Sequence, residues 1–310
     1  MSVTRAFLTG FRRASSQPKM LLVLYLVNLL MSIPLALALH SVLESGLGGS
    51  LASSQLLGGL DFTVWQDFTV AHQGELSAVF SQIVWVVLVS LFVQTFLAGG
   101  ILARVCNPEG SFSASAFFGG CGNYFFRFLR LFLIFAIVVC VDGAVVGLLV
   151  GTLEDALTKH ALSEVTDLWV KIGGAVLFLI PLVVVLMVAD YARVRTVVED
   201  ERSMWRCAGR AAKFVLGRLR KTFALQVALL LVALFLFAIY LWLDLAIGMT
   251  TTATIVLMMI IQQLFMVSRS WMRVATYASE LTLYDGLRPT VAEPVGNVGH
   301  EQNVEPSGAA

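Results

Sequence analysis

Charge is scarce in this sequence. Of 310 residues only 13% are Asp, Glu, Lys or Arg, while 58% are hydrophobic. A soluble domain carries roughly 25% charged residues, so this chain cannot cover a water-facing surface, and its mean hydropathy of +0.85 agrees. Cysteine is also sparse: Cys106, Cys121, Cys140 and Cys207 show no C-x-x-C spacing, and none falls in a segment expected on the outer side of a membrane. A disulfide framework and a thiolate zinc site are therefore excluded. Catalytic signatures are missing too, with no P-loop, H-E-x-x-H, G-x-S-x-G or Rossmann fingerprint. His40, His72 and His160 fall on one predicted face with Glu44, Asp155 and Glu164, but no spacing among them is diagnostic of a metal. No metal, no cofactor and no enzymatic activity are expected.

Long apolar runs are what the chain does have. A span needs about 20 apolar residues, because a helix rises 1.5 Å per residue through roughly 30 Å of hydrocarbon. Six stretches qualify: 20–39, 78–97, 129–150, 170–189, 223–247 and 252–267. The last is the shortest and holds Gln262 and Gln263. The expected fold is an all-α polytopic bundle of six spans over residues 1–288. A polar, Pro- and Gly-containing tail at 289–310 has too little apolar surface to fold. A basic start, an apolar run and "ALA" at 36–38 also resemble a cleavable signal, but a run of nearly 20 residues favours an uncleaved span.

The few charges are unevenly placed. The N-terminal segment, the second and fourth connections and the C-terminal segment together hold 19 of the 21 basic residues; Lys159 and Lys171 are the exceptions. The positive-inside rule puts those four segments, and both termini, in the cytoplasm. On the other side lie 41–77, with no Lys or Arg and a local duplication "DFTVWQDFTV", and the net acidic 151–169. A very short turn at 248–251 predicts a tight hairpin of the last two spans.

"ERSMWRCAGRAAKFVLGRLRKTF" (201–223) is the densest basic stretch. At 100° per residue Met204, Ala208, Ala211, Val215 and Leu219 form one stripe. Arg202, Arg206, Arg210, Lys213 and Arg220 gather opposite, with Trp205 and Phe214 on the flanks. The pattern predicts an amphipathic helix on the cytoplasmic surface, apolar face in the acyl boundary, basic face toward anionic headgroups and aromatics at the waterline. It equally fits a solvated helix that only obeys the positive-inside rule. Nucleic acid is not an expected partner, since no aromatic or amide side chain interrupts the basic face. "VEDERS" (198–203) is expected to pair with nearby arginines and to cap this helix through Asp200 or Ser203. "AFLTGFRR" (6–13) and "AFFGGCGNYFFRFLRL" (116–131) look like weaker copies, with Gly10, Gly120 and Gly209 at comparable positions, so three hairpin units are predicted.

Ionisable residues within spans are costly and point to function. Asp142 lies in the third span, within reach of Lys171 at the start of the fourth; Asp244 lies near the outer end of the fifth. Gln94 and Gln262 are candidates for hydrogen bonds between helices. Gly143, Gly147 and Gly151 share one face and offer a close helix approach, within the chain or with a second copy. Pro181 predicts a kink in the fourth span.

The run "DYARVRTVVEDERSMWRCAGRAAKFVLG" (190–217) after a span, with "FFRFLRL" (125–131) before another, resembles a loose group of uncharacterised bacterial six-span inner-membrane proteins. It is similar as well to the membrane domain fused to some glycerophosphodiester phosphodiesterases. The soluble phosphodiesterase domain has no counterpart here, so that activity is not implied. What the resemblance implies is a bacterial inner-membrane helical domain without assigned catalytic residues. The expected function is non-enzymatic binding, either as an assembly partner of a membrane complex or as a lipid-associated domain. Its partners would be anionic headgroups, together with another protein or a second copy of the chain. The alternative is a small transporter with a polar pocket near Asp142.

Overall fold

The computed structural model describes residues 2–47, 62–108, 110, 112–158, 164–248 and 251–288. They form nine helices and no strand: α1 (Val3–Ser15), α2 (Pro18–Leu47), α3 (Phe62–Ala71), α4 (Gln73–Cys106), α5 (Ala114–Thr158), α6 (Glu164–Val198), α7 (Met204–Gly217), α8 (Leu219–Ala246) and α9 (Thr252–Leu287). Six of them, α2, α4, α5, α6, α8 and α9, are long and apolar enough to cross a membrane. The chain is a multi-pass membrane protein with an all-α fold. The tail at 289–310 lies outside the described residues.

Local chemistry sets several boundaries. Pro18 opens α2 at the position where a missing N–H costs nothing, and α1 ends three residues before it. Thr251 caps α9: its Oγ1 accepts from the Thr254 N–H at 3.3 Å, while the Thr251 N–H donates back to Thr254 Oγ1 at 3.1 Å. α8 and α9 form the short-turned hairpin that the sequence predicts. The connections at 41–77 and 151–169 are shorter than expected, because α2, α5 and α6 run on into them and "FTVWQDFTVA" forms α3. α6 continues as helix through Pro181.

The two ends of the bundle differ. At the far end, large apolar side chains along 84–92, 133–153, 230–245 and 255–264 are exposed, the signature of helices that face lipid rather than one another. The buried core gathers at the other end, which carries the basic residues: Leu97, Ile101 and Leu102 of α4, Phe117, Cys121 and Phe128 of α5, Met187, Tyr191 and Val194 of α6, Val274, Ala278 and Leu281 of α9. The inner half of α9 is buried from Ser270 to Tyr284 at nearly every position, and forms the central post of this basic-end cap. Small residues allow close approach there. Gly10 of α1 abuts Ser279 of α9, and Gly99 and Gly100 of α4 abut Gly120, Cys121 and Phe117 of α5.

The three expected units differ from one another. α1 runs beside α9, with Gly10 at Ser279 and Ser15 hydrogen-bonded to Trp271 at 3.1 Å. The stretch 116–131 is continuous with α5. Gly209 has no neighbouring atom within 4 Å of where a β-carbon would stand.

Candidate functional site

Polar residues from three helices that are remote in sequence meet between α2, α4 and α9. Gln94 donates from Nε2 to Asn28 Oδ1 at 2.7 Å, and Asn28 Nδ2 donates to Ser270 Oγ at 3.5 Å. Arg273 reaches across and donates from Nη2 to the main-chain carbonyl of Gln94 at 2.5 Å. Next to them Tyr25 donates to Gln263 Oε1 at 2.8 Å. These groups border a cavity of about 430 Å³, lined on its polar side by Asn28, Ser32, Ser90, Gln94, Arg269, Ser270 and Arg273, and on its apolar side by Met31, Leu35, Val86 and Met266. That volume falls within the range of small-ligand pockets.

The depth of the cleft follows from helix rise. From Gln73 to Gln94, and from Thr252 to Arg273, each helix travels about 32 Å; measured from Ala78, where the apolar run begins, Gln94 is about 24 Å in. Against roughly 30 Å of hydrocarbon, the cleft lies in the basic-end leaflet, close to where hydrocarbon gives way to headgroups. Beyond it α4 and α9 continue for about 18 and 21 Å to build the cap.

The two arginines differ in their surroundings. Asp190 of α6, which pairs with Arg193 at 2.6 Å, lies within electrostatic reach of Arg273. Arg193 also donates to Tyr277 Oη at 3.5 Å, and Glu280, only 1% exposed, lies close enough to Arg193 and Asp190 to share their field. Arg269 is exposed on the cleft wall, and among the described residues it makes no hydrogen bond or ion pair. A cation at this depth without a counter-charge is expensive, so an anion beside it is favoured.

The residues expected to matter fall as follows. Asp142 is half-buried on α5, its Oδ2 enclosed without a hydrogen-bond partner among the described residues, and it does not line the cleft. Lys171 is exposed. Asp244 is half-buried in the last turn of α8. Gln94 does bridge helices; Gln262 is exposed, and its neighbour Gln263 makes the helix contact instead. Of the two roles expected for the glycine face, the structure bears only on packing within the chain. Gly143 touches Phe178 at an ordinary 3.5 Å, while Gly147 and Gly151 have nothing within 4 Å, so among the described residues no helix packs closely along that stripe.

The basic segment also needs correction. The apolar stripe of α7 lies against the protein: Met204, Cys207, Ala208, Ala211, Phe214 and Val215 are all buried in the cap core. Phe214 is no flanking residue but packs on the Tyr191 and Tyr284 rings. Leu219 belongs to α8 and is exposed. Arg202, Arg206, Arg210, Lys213 and Arg220 point outward, with Trp205 73% exposed among them. "VEDERS" pairs as expected, Glu201 with Arg195 and Arg210 at 3.3 and 2.9 Å, and Glu199 with Arg195 at 2.6 Å. Asp200 caps nothing: it bonds Arg127 of α5, and Ser203 stands at the start of α7 without a side-chain cap bond. Arg127 holds the Asp200 carboxyl below its ordinary range, by hydrogen bond first and charge second.

Sequence alone does not mark Asn28, and in it Arg269 and Arg273 register only as topological charge. One signal was available: Val274, Ala278 and Leu281 continue an apolar helical spacing past 267, which marks α9 as longer than a single crossing. Comparison of the chain with protein families, with characterised proteins and with solved structures yields no match.

Proposed function

We propose that this chain is a non-enzymatic integral membrane protein that acts by binding, as a lipid-associated domain whose binding place is the cleft among α2, α4 and α9. The observation that carries this reading is the convergence of Arg269, Arg273, Asn28 and Gln94 on one cavity near headgroup depth. No nucleophile–base pair lines that cavity, which supports binding rather than catalysis. The uneven basic charge supports a cytoplasmic basic end with both termini inside. The resemblance of 190–217 and 125–131 supports a bacterial inner membrane. The outward basic side chains of α7 are placed to meet anionic headgroups or a protein partner.

The test is native mass spectrometry of the full-length protein released gently from its own membrane. Wild type should carry a stoichiometric small-molecule adduct, and Asn28→Leu with Gln94→Leu, which removes the amide pair, should lose it. A chain that carries no adduct, yet elutes with a stoichiometric protein, would instead support the assembly reading.

A further inference from the structure

The cleft has a neighbour. A second cavity of about 280 Å³ lies between α8 and α9, lined by Ala233, Leu236, Phe265, Ser268, Arg269 and Met272. Arg269 borders both cavities, so the polar cleft and this more apolar groove adjoin at this residue. The groove faces the lipid-exposed side of the α8–α9 hairpin, where Leu234, Phe235 and Leu264 are open to the surroundings. Polar cleft, unpaired cation and apolar groove thus occur in the order in which a phospholipid presents headgroup, phosphate and acyl chain.

We infer that the cleft and the α8–α9 groove form one bipartite site for a phosphate-bearing lipid. Arg269 and Arg273 hold the phosphate, Asn28, Ser90 and Gln94 face the rest of the headgroup, and one acyl chain lies along Leu236, Phe265 and Met272. Guanidinium suits this task because it presents several donors to phosphate oxygens in a fixed plane. Near the edge of the hydrocarbon such charge-assisted bonds are screened less than in water. The assignment rests on the binding reading above and narrows its ligand to one chemical class. The same anion chemistry could come from free phosphate, so the test separates the two sources.

The full-length protein is placed in phosphatidylcholine nanodiscs with and without phosphatidylglycerol, and the lipid retained on release is counted by native mass spectrometry. Wild type should retain one phosphatidylglycerol. Arg269→Gln should lower retention by about tenfold to a hundredfold, the usual effect of losing one bond to a charged group. Arg269 has no protein partner among the described residues, so this variant should fold normally; Arg273→Gln, which also removes the bond to the Gln94 carbonyl, serves as the second arm. Ala233→Phe, which fills the groove, should lower retention as well, and inorganic phosphate should not displace the lipid. If inorganic phosphate displaces it and Ala233→Phe changes nothing, the site takes a free anion; the lipid assignment falls while binding at the cleft stands. If all three single variants retain lipid as wild type does, and Arg206, Arg210 and Lys213 changed together to Glu lose it, the lipid sits on α7 and the cleft reading itself fails. A wild type that retains neither phosphatidylglycerol nor phosphatidylcholine overturns the proposal outright.

Discussion

Replacing Gly10 by Ala probes how tightly α1 is fastened to the post of the cap. A β-carbon built on Gly10 would stand 2.0 Å from Ser279 Oγ, 2.6 Å from the Ser279 nitrogen and 2.7 Å from its Cα. Carbon contacts are comfortable only at about 3.5–4.0 Å, so α1 and α9 must separate by roughly 1 Å. No rotamer change relieves this, because two of the three atoms are main chain. Overpacking of this kind costs about 1–3 kcal/mol, and alanine returns up to about 1 kcal/mol through its better helix propensity. The net expectation is a loss of about 1–2 kcal/mol, which for a chain of this size lowers Tm by a few degrees. Fluorescence-monitored thermal unfolding in detergent reads it. Ser279→Gly in the same chain removes only the hydroxyl contact and should recover part of the loss. Gly147→Ala is the matched control: with nothing within 4 Å it should be neutral, or stabilising by up to about 1 kcal/mol. Equal stability of Gly10→Ala and wild type, or equal damage at Gly147, would refute the packing argument.

Other outcomes follow from the cap. Cys207 is buried, and desolvation pushes its thiol above the ordinary value, so a maleimide should leave it unmodified in the folded protein at alkaline pH and label it once unfolding begins. Prompt labelling would mean that α7 detaches readily. Asp200 titrates below its ordinary range because Arg127 favours the charged form. Its contribution is therefore present above the unfolded carboxyl value of about 4 and lost as pH falls through the lower folded value. Tm of wild type and Asp200→Asn should converge on acidification, and a constant gap would contradict the pairing.

How much of this was legible in the residues depends on distance along the chain. The six crossings were, since each is a continuous apolar run whose hydropathy needs no partner to interpret. The α8–α9 hairpin was, because its turn is short. The amphipathic pattern of 204–215 was legible as a helix with two faces, but which medium covers the apolar face was not: Met204, Ala208 and Ala211 suit lipid and protein equally well, and only the packing of α5 and α6, with Tyr284 of α9, decides. The glycine stripe shows the mirror case within the chain. Spacing shows where a helix could approach, whereas Gly10, Gly99 and Gly100 are the places where one does.

Hydropathy and charge bias, which act residue by residue, settled by themselves that this chain crosses a membrane six times as helices. The cleft belongs to tertiary structure alone. Asn28, Gln94 and Arg273 lie on three helices far apart in sequence, and each viewed alone is an ordinary polar residue beside an apolar run. Helix crossing brings them into hydrogen-bond range at one depth. There a leaflet's low dielectric makes every unpaired polar group costly, and that cost turns separate residues into a site.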